Sequence, residues 1–402
     1  MSNFSKEDIS YLLSPKAIRE TTSRIYAIAL GGETHFKINE DKIDACADYV
    51  MDVINENYPS LDIPFHSRWG HFKVGGIDRE KQLNEKIKDL DALEQARIKL
   101  DLVITSVLLD AGAGPSWKYK EADQIFNRSE GLAVASFHMF MDGVFSNSSK
   151  LCADADAMTK FSSIELEEGF QVDPSNPLVG VDGRVALISK LGQTVKNNSE
   201  IFPASRPGSI IDYLINKHGK SFEVLDILNA VLLGLGPIWP GRIMIDETNL
   251  GDVWPYAPFG ELSKDGVVCF HKLSQWLTYS LVTPMLEAGL TITGAEKLTG
   301  LAEYRNGGLF LDFGVIELRD KNLINISHKP SSELIIEWRA LTIQLLDKVG
   351  CLVQKKLNKS AAEFPLAKVL EGGTWWAGRK IANKLRSDGS TPIKLDSDGT
   401  VF

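Results

Sequence analysis

Apolar residues recur every three or four positions over most of this chain, a period that turns one face of an α-helix toward a core. Ser14-Pro15 reads as an N-cap and first helical position, and Ile25-Tyr26-Ala27-Ile28 carries the apolar face to a Gly31-Gly32 stop. The same spacing predicts a helix over residues 42–54. The longest expected helix covers residues 79–109, with Leu83, Ile87, Leu90, Leu93, Ala96, Ile98 and Leu102 on one stripe. Its first turns are charged and its end, from Leu102 to Leu109, is apolar nearly all round. It should therefore start at the surface and deliver Asp110 into the interior. Further helices are predicted over 129–143, 182–191, 208–217, 222–235, 270–286, 333–356, 365–370 and 376–385. Strand signals are confined to residues 310–318 and 393–401, the second a hairpin around Asp398-Gly399. Loops over 173–181 and 236–266 interrupt the helices, and no internal repeat is found. The pattern predicts a mostly α protein. It forms one large domain over 1–402, or two packed lobes of about 1–180 and 181–402.

Composition narrows the classes of partner. A chain of 402 residues, 44% apolar, can bury a large core. The net charge of -9 argues against general nucleic-acid binding, which needs Lys and Arg to neutralise phosphates. A small phosphorylated ligand needs only a local basic cluster. No apolar run is long enough to span a bilayer, and the opening M-S-N-F-S-K-E-D lacks the character of a signal peptide. Cys46, Cys152, Cys269 and Cys351 lie far apart without C-x-x-C spacing, as expected of free thiols in a reducing compartment. The expectation is a cytoplasmic protein without membrane or nucleic-acid partners.

Five polar islands stand out against the apolar pattern. Glu303-Tyr304-Arg305 sits between apolar residues and is followed by Gly307-Gly308. Charges there need partners, so the cluster is either a polar site or a structural ion pair at a helix end. Asp110 opens the loop D-A-G-A-G-P-S-W-K-Y, where Gly112 and Gly114 let the backbone approach a ligand closely. Trp117 and Tyr119 could stack on a planar group there, or Trp117 anchors the loop to the core. His271, Lys272 and Gln275 fall near one helical turn of each other, which suits a phosphate or polar ring; alternatively Lys272 is simply solvated. His66-Ser-Arg68-Trp69-Gly-His71 is dense in basic and aromatic groups. It lacks the further ligands of a metal site and reads as a substrate- or phosphate-binding loop, or as a loop that buries Trp69 and leaves both His exposed. Asp246-Glu247, after the Trp239-Pro240-Gly241-Arg242 segment, could serve acid–base work or stabilise the next element. There is no Walker motif, no G-x-G-x-x-G after a strand and no G-x-S-x-G elbow.

Together these stretches resemble a known family. L-L-S-P-K-A-I-R, P-F-H-S-R-W-G-H-F, L-L-D-A-G-A-G-P-S-W-K-Y, S-R-P-G and L-T-G-L-A-E-Y-R-N-G-G-L are similar to the uracil catabolism protein 4 family of fungi and bacteria, across essentially the whole chain. That resemblance implies a role beside a uracil phosphoribosyltransferase and a cyclohydrolase-like enzyme in a pathway degrading uracil through a nucleotide.

More distantly, the order of motifs resembles the queuosine 5′-phosphate N-glycosylase family, helical hydrolases related in shape to helix-hairpin-helix DNA glycosylases. There an Asp precedes a Trp by seven residues, as Asp110 precedes Trp117, and an F-x-K-x-x-Q helix start matches Phe270, Lys272 and Gln275. An Asp-Tyr-Arg triplet matches Glu303-Tyr304-Arg305, with the acid one methylene longer. This second resemblance implies a glycosylase-like fold that hydrolyses the N-glycosidic bond of a ribosyl 5′-phosphate, such as a ring-opened uridine nucleotide. Alternatives are a ureido amidohydrolase acting on the opened ring, or a non-catalytic partner of the cyclohydrolase-like enzyme. On the glycosylase reading, Glu303 or Asp110 stabilises the oxocarbenium-like transition state. Trp117 packs on the leaving group, while Arg305, Lys272 and His71 are the candidates for the phosphate and Arg68 is a further substrate-binding residue. Tyr304, Gln275 and Asp312 complete the expected binding residues, and neither metal nor organic cofactor is called for.

Overall fold

Ser14 caps the helix Pro15–Gly31 by accepting the Ala17 N–H, and Gly32 ends it in a left-handed conformation, as the Ser-Pro and Gly-Gly signals imply. The computed structural model describes residues 4–396, except 111, 149 and 240–242. Helices dominate, and the strands are two to three residues long. Among the described residues no helix is long and apolar enough to cross a membrane.

Two compact units share the described chain, each built from separated segments. Residues 4–66, 243–275 and 294–396 make the first, and residues 67–239 and 276–293 the second. Residue 180, the lobe boundary suggested by the sequence, lies within the second unit.

In the first unit the helix Glu333–Lys356 packs against Pro15–Gly31 and Ile43–Asn57. One cluster of its buried residues gathers Ile18, Ile25, Val253, Phe270, Ile336 and Ile343. Helix Tyr304–Asp312 packs against Trp375–Leu385. Short antiparallel ladders join Phe36–Ile38 to Ile316–Leu318 and Val253–Pro255 to Val267–Cys269. The strand expected over 310–318 is therefore helical up to Asp312, with only Ile316–Leu318 extended. Glu303 caps that helix and Gly307 lets it approach Glu333–Lys356, so tertiary packing overrides the β-like apolar run. The hairpin expected over 393–401 is replaced, in its described part, by Lys394–Leu395 pairing parallel with Ser327–His328; Asp398-Gly399 lies outside the described residues.

In the second unit the expected helix over 79–109 is two helices, Arg79–Ile87 and Ala92–Leu108. Asp91 accepts the N–H groups of Leu93 and Glu94, starting a new helix where the apolar stripe alone reads as continuous. Ala92–Leu108 is buried from Ile98 onward and ends two residues before Asp110, as the pattern implied. Arg128–Met141 lies beside it, and Val181–Asn197 also contacts it.

Candidate functional site

Asp110 closes the buried helix Ala92–Leu108, and its carboxylate is met by side chains from distant segments of the second unit. The Ser129 hydroxyl lies 2.7 and 2.6 Å from the two carboxylate oxygens and donates its one proton to them. Arg68 forms an ion pair with the same group at 3.1 Å; its side chain is fully buried, whereas that of Asp110 is 9% exposed. Arg68 is itself fixed by Nε donation to Ser106 Oγ at 2.8 Å. Its Nη1 lies 3.3 Å from Nδ1 of His71. A guanidinium N–H can only donate, so Nδ1 accepts and the ring proton of His71 belongs on Nε2. The His71 ring lies 5.8 Å from that of Trp276, and the Arg68 guanidinium lies 5.8 Å from the same indole.

A second buried arginine reaches this helix end. Arg184 donates to the carbonyls of Leu109 at 3.0 Å and Gly112 at 3.2 Å. Burial lowers its pKa to about 10, against a raising pull from Asp110. Burial also pushes Arg68 below the ordinary arginine range, opposed by the charge and hydrogen bond of Asp110. The result is one carboxylate with limited access, charge-compensated by buried guanidinium and oriented by a hydroxyl. Such a group can hold a hydroxyl or a water, or face a developing positive charge. Arg68 is committed to Asp110 and is not placed to hold a phosphate; of the expected basic residues in this unit, the half-buried His71 keeps partial access.

Trp117 belongs to the core rather than to this cluster. It is 1% exposed, donates its indole N–H to the Phe170 carbonyl at 2.9 Å, and packs on Gly131. The loop-anchor reading therefore describes it. Ser129, Arg184, Ser106 and Trp276 were not singled out in the sequence. A lone serine in a helix's first turn carries no local signal for a carboxylate nineteen residues earlier.

In the first unit Glu303 is a helix N-cap. Its oxygens accept the backbone N–H groups of Arg305, at 2.7 Å, and Asn306. The three residues of the island look to three different partners. The Tyr304 ring packs 5.4 Å from that of Trp338, and Arg305 Nη1 donates to the Gly389 carbonyl at 2.9 Å. Asp312 is held by Arg386 through two N–H donors, a structural pair joining the helices Tyr304–Asp312 and Trp375–Leu385. Gln275 is fully buried and its amide is spent on Thr299, with Oε1 accepting the Thr299 N–H at 3.0 Å and Nε2 donating to the hydroxyl at 2.8 Å.

Asp252, absent from the expected set, organises this region. It accepts from the Lys272 backbone at 3.1 Å, from Trp254 Nε1 at 2.7 Å, and from Arg339 at 2.9 and 2.7 Å. Burial would raise the Asp252 carboxyl, but Arg339 and these donors hold it well below the usual carboxylate range. Arg339 also stacks over Phe270 at 3.9 Å and approaches the Ala302 carbonyl at 3.5 Å. Asp252 and Arg339 thus tie the start of the Lys272 helix to the segment leading into Glu303. A buried charge in mid-helix, such as Arg339, is the sequence sign that a partner must exist.

The remaining islands are structural in placement. His66 pairs with Glu371 at 2.7 Å within the first unit, and Trp69 donates to the Ser280 carbonyl at 2.9 Å within the second. Trp69 is buried, but so is His66, so the alternative with both His exposed does not hold. Asp246 and Glu247 are exposed and form the turn of a two-residue hairpin between Met244–Ile245 and Thr248–Asn249, both with positive φ. Pro240, Gly241 and Arg242, and Ala111 beside Asp110, lie outside the described residues. Among the described residues no three His, Cys, Asp or Glu side chains converge as metal ligands.

A family model described as "Protein of unknown function (DUF1688)" matches residues 11–402. Uracil catabolism protein 4 of Lachancea kluyveri is 39% identical over 436 residues, covering 98% of this chain and 99% of that relative. Protein urg3 of Schizosaccharomyces pombe is 39% identical over 410 residues, covering 99% of this chain and 100% of its own length. With a match from residue 11 to residue 402 and full-length relatives at this identity, the chain belongs to the DUF1688 family, the family of uracil catabolism protein 4.

Proposed function

We propose that the chain is an enzyme of uracil catabolism that hydrolyses the N-glycosidic bond of a ribosyl 5′-phosphate. Its substrate is a ring-opened uridine nucleotide such as ribosylurea phosphate. The observation that carries the reading is the Asp110 carboxylate, 9% exposed and aligned by Arg68 and Ser129 at the end of a buried helix. The name of the Lachancea kluyveri relative supports the pathway. The resemblance of the motif order to the queuosine 5′-phosphate N-glycosylase family supports the reaction and a glycosylase-like fold, although Trp117 itself serves as a core anchor.

On this reading the C–N bond lengthens first and positive charge builds on the anomeric carbon, which the Asp110 carboxylate stabilises. Asp110 takes a proton from the attacking water, the oxygen bonds to the anomeric carbon, and the proton passes to the departing ureido nitrogen. Ribose 5-phosphate and urea result, with Asp110 regenerated. Glu303, whose carboxylate is bound to its own helix, acts as a cap. The site works in the cytoplasm on the product of a cyclohydrolase-like enzyme, downstream of a uracil phosphoribosyltransferase.

The test is to incubate the purified chain with the ring-opened nucleotide and to assay ribose 5-phosphate and urea. Release of both supports the glycosidase. Loss of a fragment with the sugar bond intact points to an amidohydrolase, and an inert protein points to a partner role; either outcome defeats the proposal.

A further inference from the structure

A recess lies in the same unit, separate from the Asp110 cluster. Helix Arg128–Met141 carries Ser129 near its start and His138 nine residues on, about 13 Å along the axis at the usual helical rise. Around His138 a cleft of about 320 Å³ opens, lined by Tyr119, Met139, Asp142, Glu165 and Glu168 among others, with no Lys or Arg in its wall.

The wall is built of acceptors. Glu165 spends one oxygen on the Ser162 N–H and hydroxyl, at 2.8 and 2.7 Å. Asp142 and Glu168 make no side-chain hydrogen bond or ion pair with any described residue. His138 places Nε2 2.6 Å from Glu121 Oε1, a contact the ring makes as donor, so its other nitrogen is an acceptor whenever the ring is neutral. Tyr119 stacks on His138 with centroids 6.2 Å apart and planes 14° apart. The residue lines the cleft and is 7% exposed, and its hydroxyl has no hydrogen-bond partner among the described residues. The ring is buried while the hydroxyl keeps some access, so it is open to a donor from a ligand. Met139, Val144 and Gly169 supply an apolar side to the same cleft.

We propose that this cleft binds a small organic cation carrying N–H donors, a primary ammonium or guanidinium compound. Carboxylates without counter-ions attract the charge. The Tyr119 oxygen accepts an N–H, and the apolar side takes the alkyl part of the ligand. A bare divalent metal fits worse, because no three of these side chains converge to coordinate one ion.

The experiment is calorimetric titration of the full chain at low salt with methylguanidine. Urea serves as an uncharged N–H donor of like shape, and tetramethylammonium as a cation without N–H. Saturable binding of methylguanidine at one site per chain is expected, with neither control competing. Glu168→Gln, at an exposed position, and Tyr119→Phe, which keeps the ring, should each weaken it about tenfold, the scale of one hydrogen bond to a charged partner. Asp142→Asn combined with Glu168→Gln should abolish it. Absence of saturable binding, equal binding of urea or tetramethylammonium, tighter binding of calcium, or unchanged affinity in the variants would each overturn the proposal.

Discussion

Glu303 and Asp110 look alike in sequence: each is an acid next to aromatic or glycine-rich neighbours and flanked by apolar runs. In the folded chain they are satisfied in opposite ways. Glu303 takes its hydrogen bonds from backbone N–H groups two and three residues ahead, a wholly local arrangement. Asp110 takes its partners from Ser129 and Arg68, 19 and 42 residues away, with Arg68 buried and itself held by Ser106. A locally capped carboxylate stabilises its own helix. A carboxylate held by long-range side chains is a rigid, oriented charge, which is the arrangement catalysis asks for. The proposed chemistry therefore belongs to Asp110 rather than to the Glu303 island.

The largest effect that would break this contrast is removal of Arg68. Arg68→Met leaves Asp110 nearly buried without its counter-ion, and a loss of about 3–5 kcal/mol is expected in urea unfolding. Adding Asp110→Asn should recover much of that loss, because the two sites are coupled. Strict additivity would mean that the pair does not act as a unit. Next comes Gly307→Ala in the Glu303 helix. A Cβ there would sit 2.8 Å from both Trp338 Nε1 and Thr342 Oγ1, so a loss of about 1–3 kcal/mol should appear as a lowered Tm.

Glu303→Ala should cost about 0.5–2 kcal/mol, the ordinary worth of an N-cap, read from the same urea curves. A much larger loss would mean that Glu303 does more than cap.

The smallest effect is a pH dependence in the first unit. Burial holds His271 below its ordinary value, although its bond to the Leu12 carbonyl and the charge of Asp252 oppose this. Arg339, the other charged group facing it, acts in the same direction as burial. Below about pH 6.5 the unfolded chain therefore takes up a proton that the folded chain refuses. Stability from this source is full above that pH and falls as the pH drops through it. His271→Asn, which tolerates the positive φ at this position, should flatten the decline between about pH 7 and pH 5. Parallel curves for the two proteins would rule His271 out.

Much of the fold was legible because its signals are local. Ser14-Pro15 and Gly32 bound one helix, and Glu333–Lys356 matches the apolar period end to end. Boundaries failed where a local polar contact outranked the period, as at Asp91, which starts a helix inside a continuous stripe. They failed again at Phe310 to Asp312, where an apolar run that reads as strand is drawn into a helix packed on Trp338.

The site was legible only in its first half. The helix that ends at Asp110 follows from the rising apolarity of residues 102–109. Ser129 and Arg184 did not follow, because a serine and an arginine on other helices carry no mark of the carboxylate they will meet. Gln275 and Asp312 illustrate the reverse: their residue types suggested ligand contacts, and both are spent on structural partners.

The most direct measurement compares Asp110→Asn with Glu303→Gln in turnover of the ring-opened uridine nucleotide, each normalised to folded protein. A loss of about 10²–10⁴-fold is expected for Asp110→Asn, the scale of positioned acid–base catalysis, with turnover by Glu303→Gln near that of the parent chain. Full activity in Asp110→Asn, or a collapse confined to Glu303→Gln, would contradict the role given to Asp110.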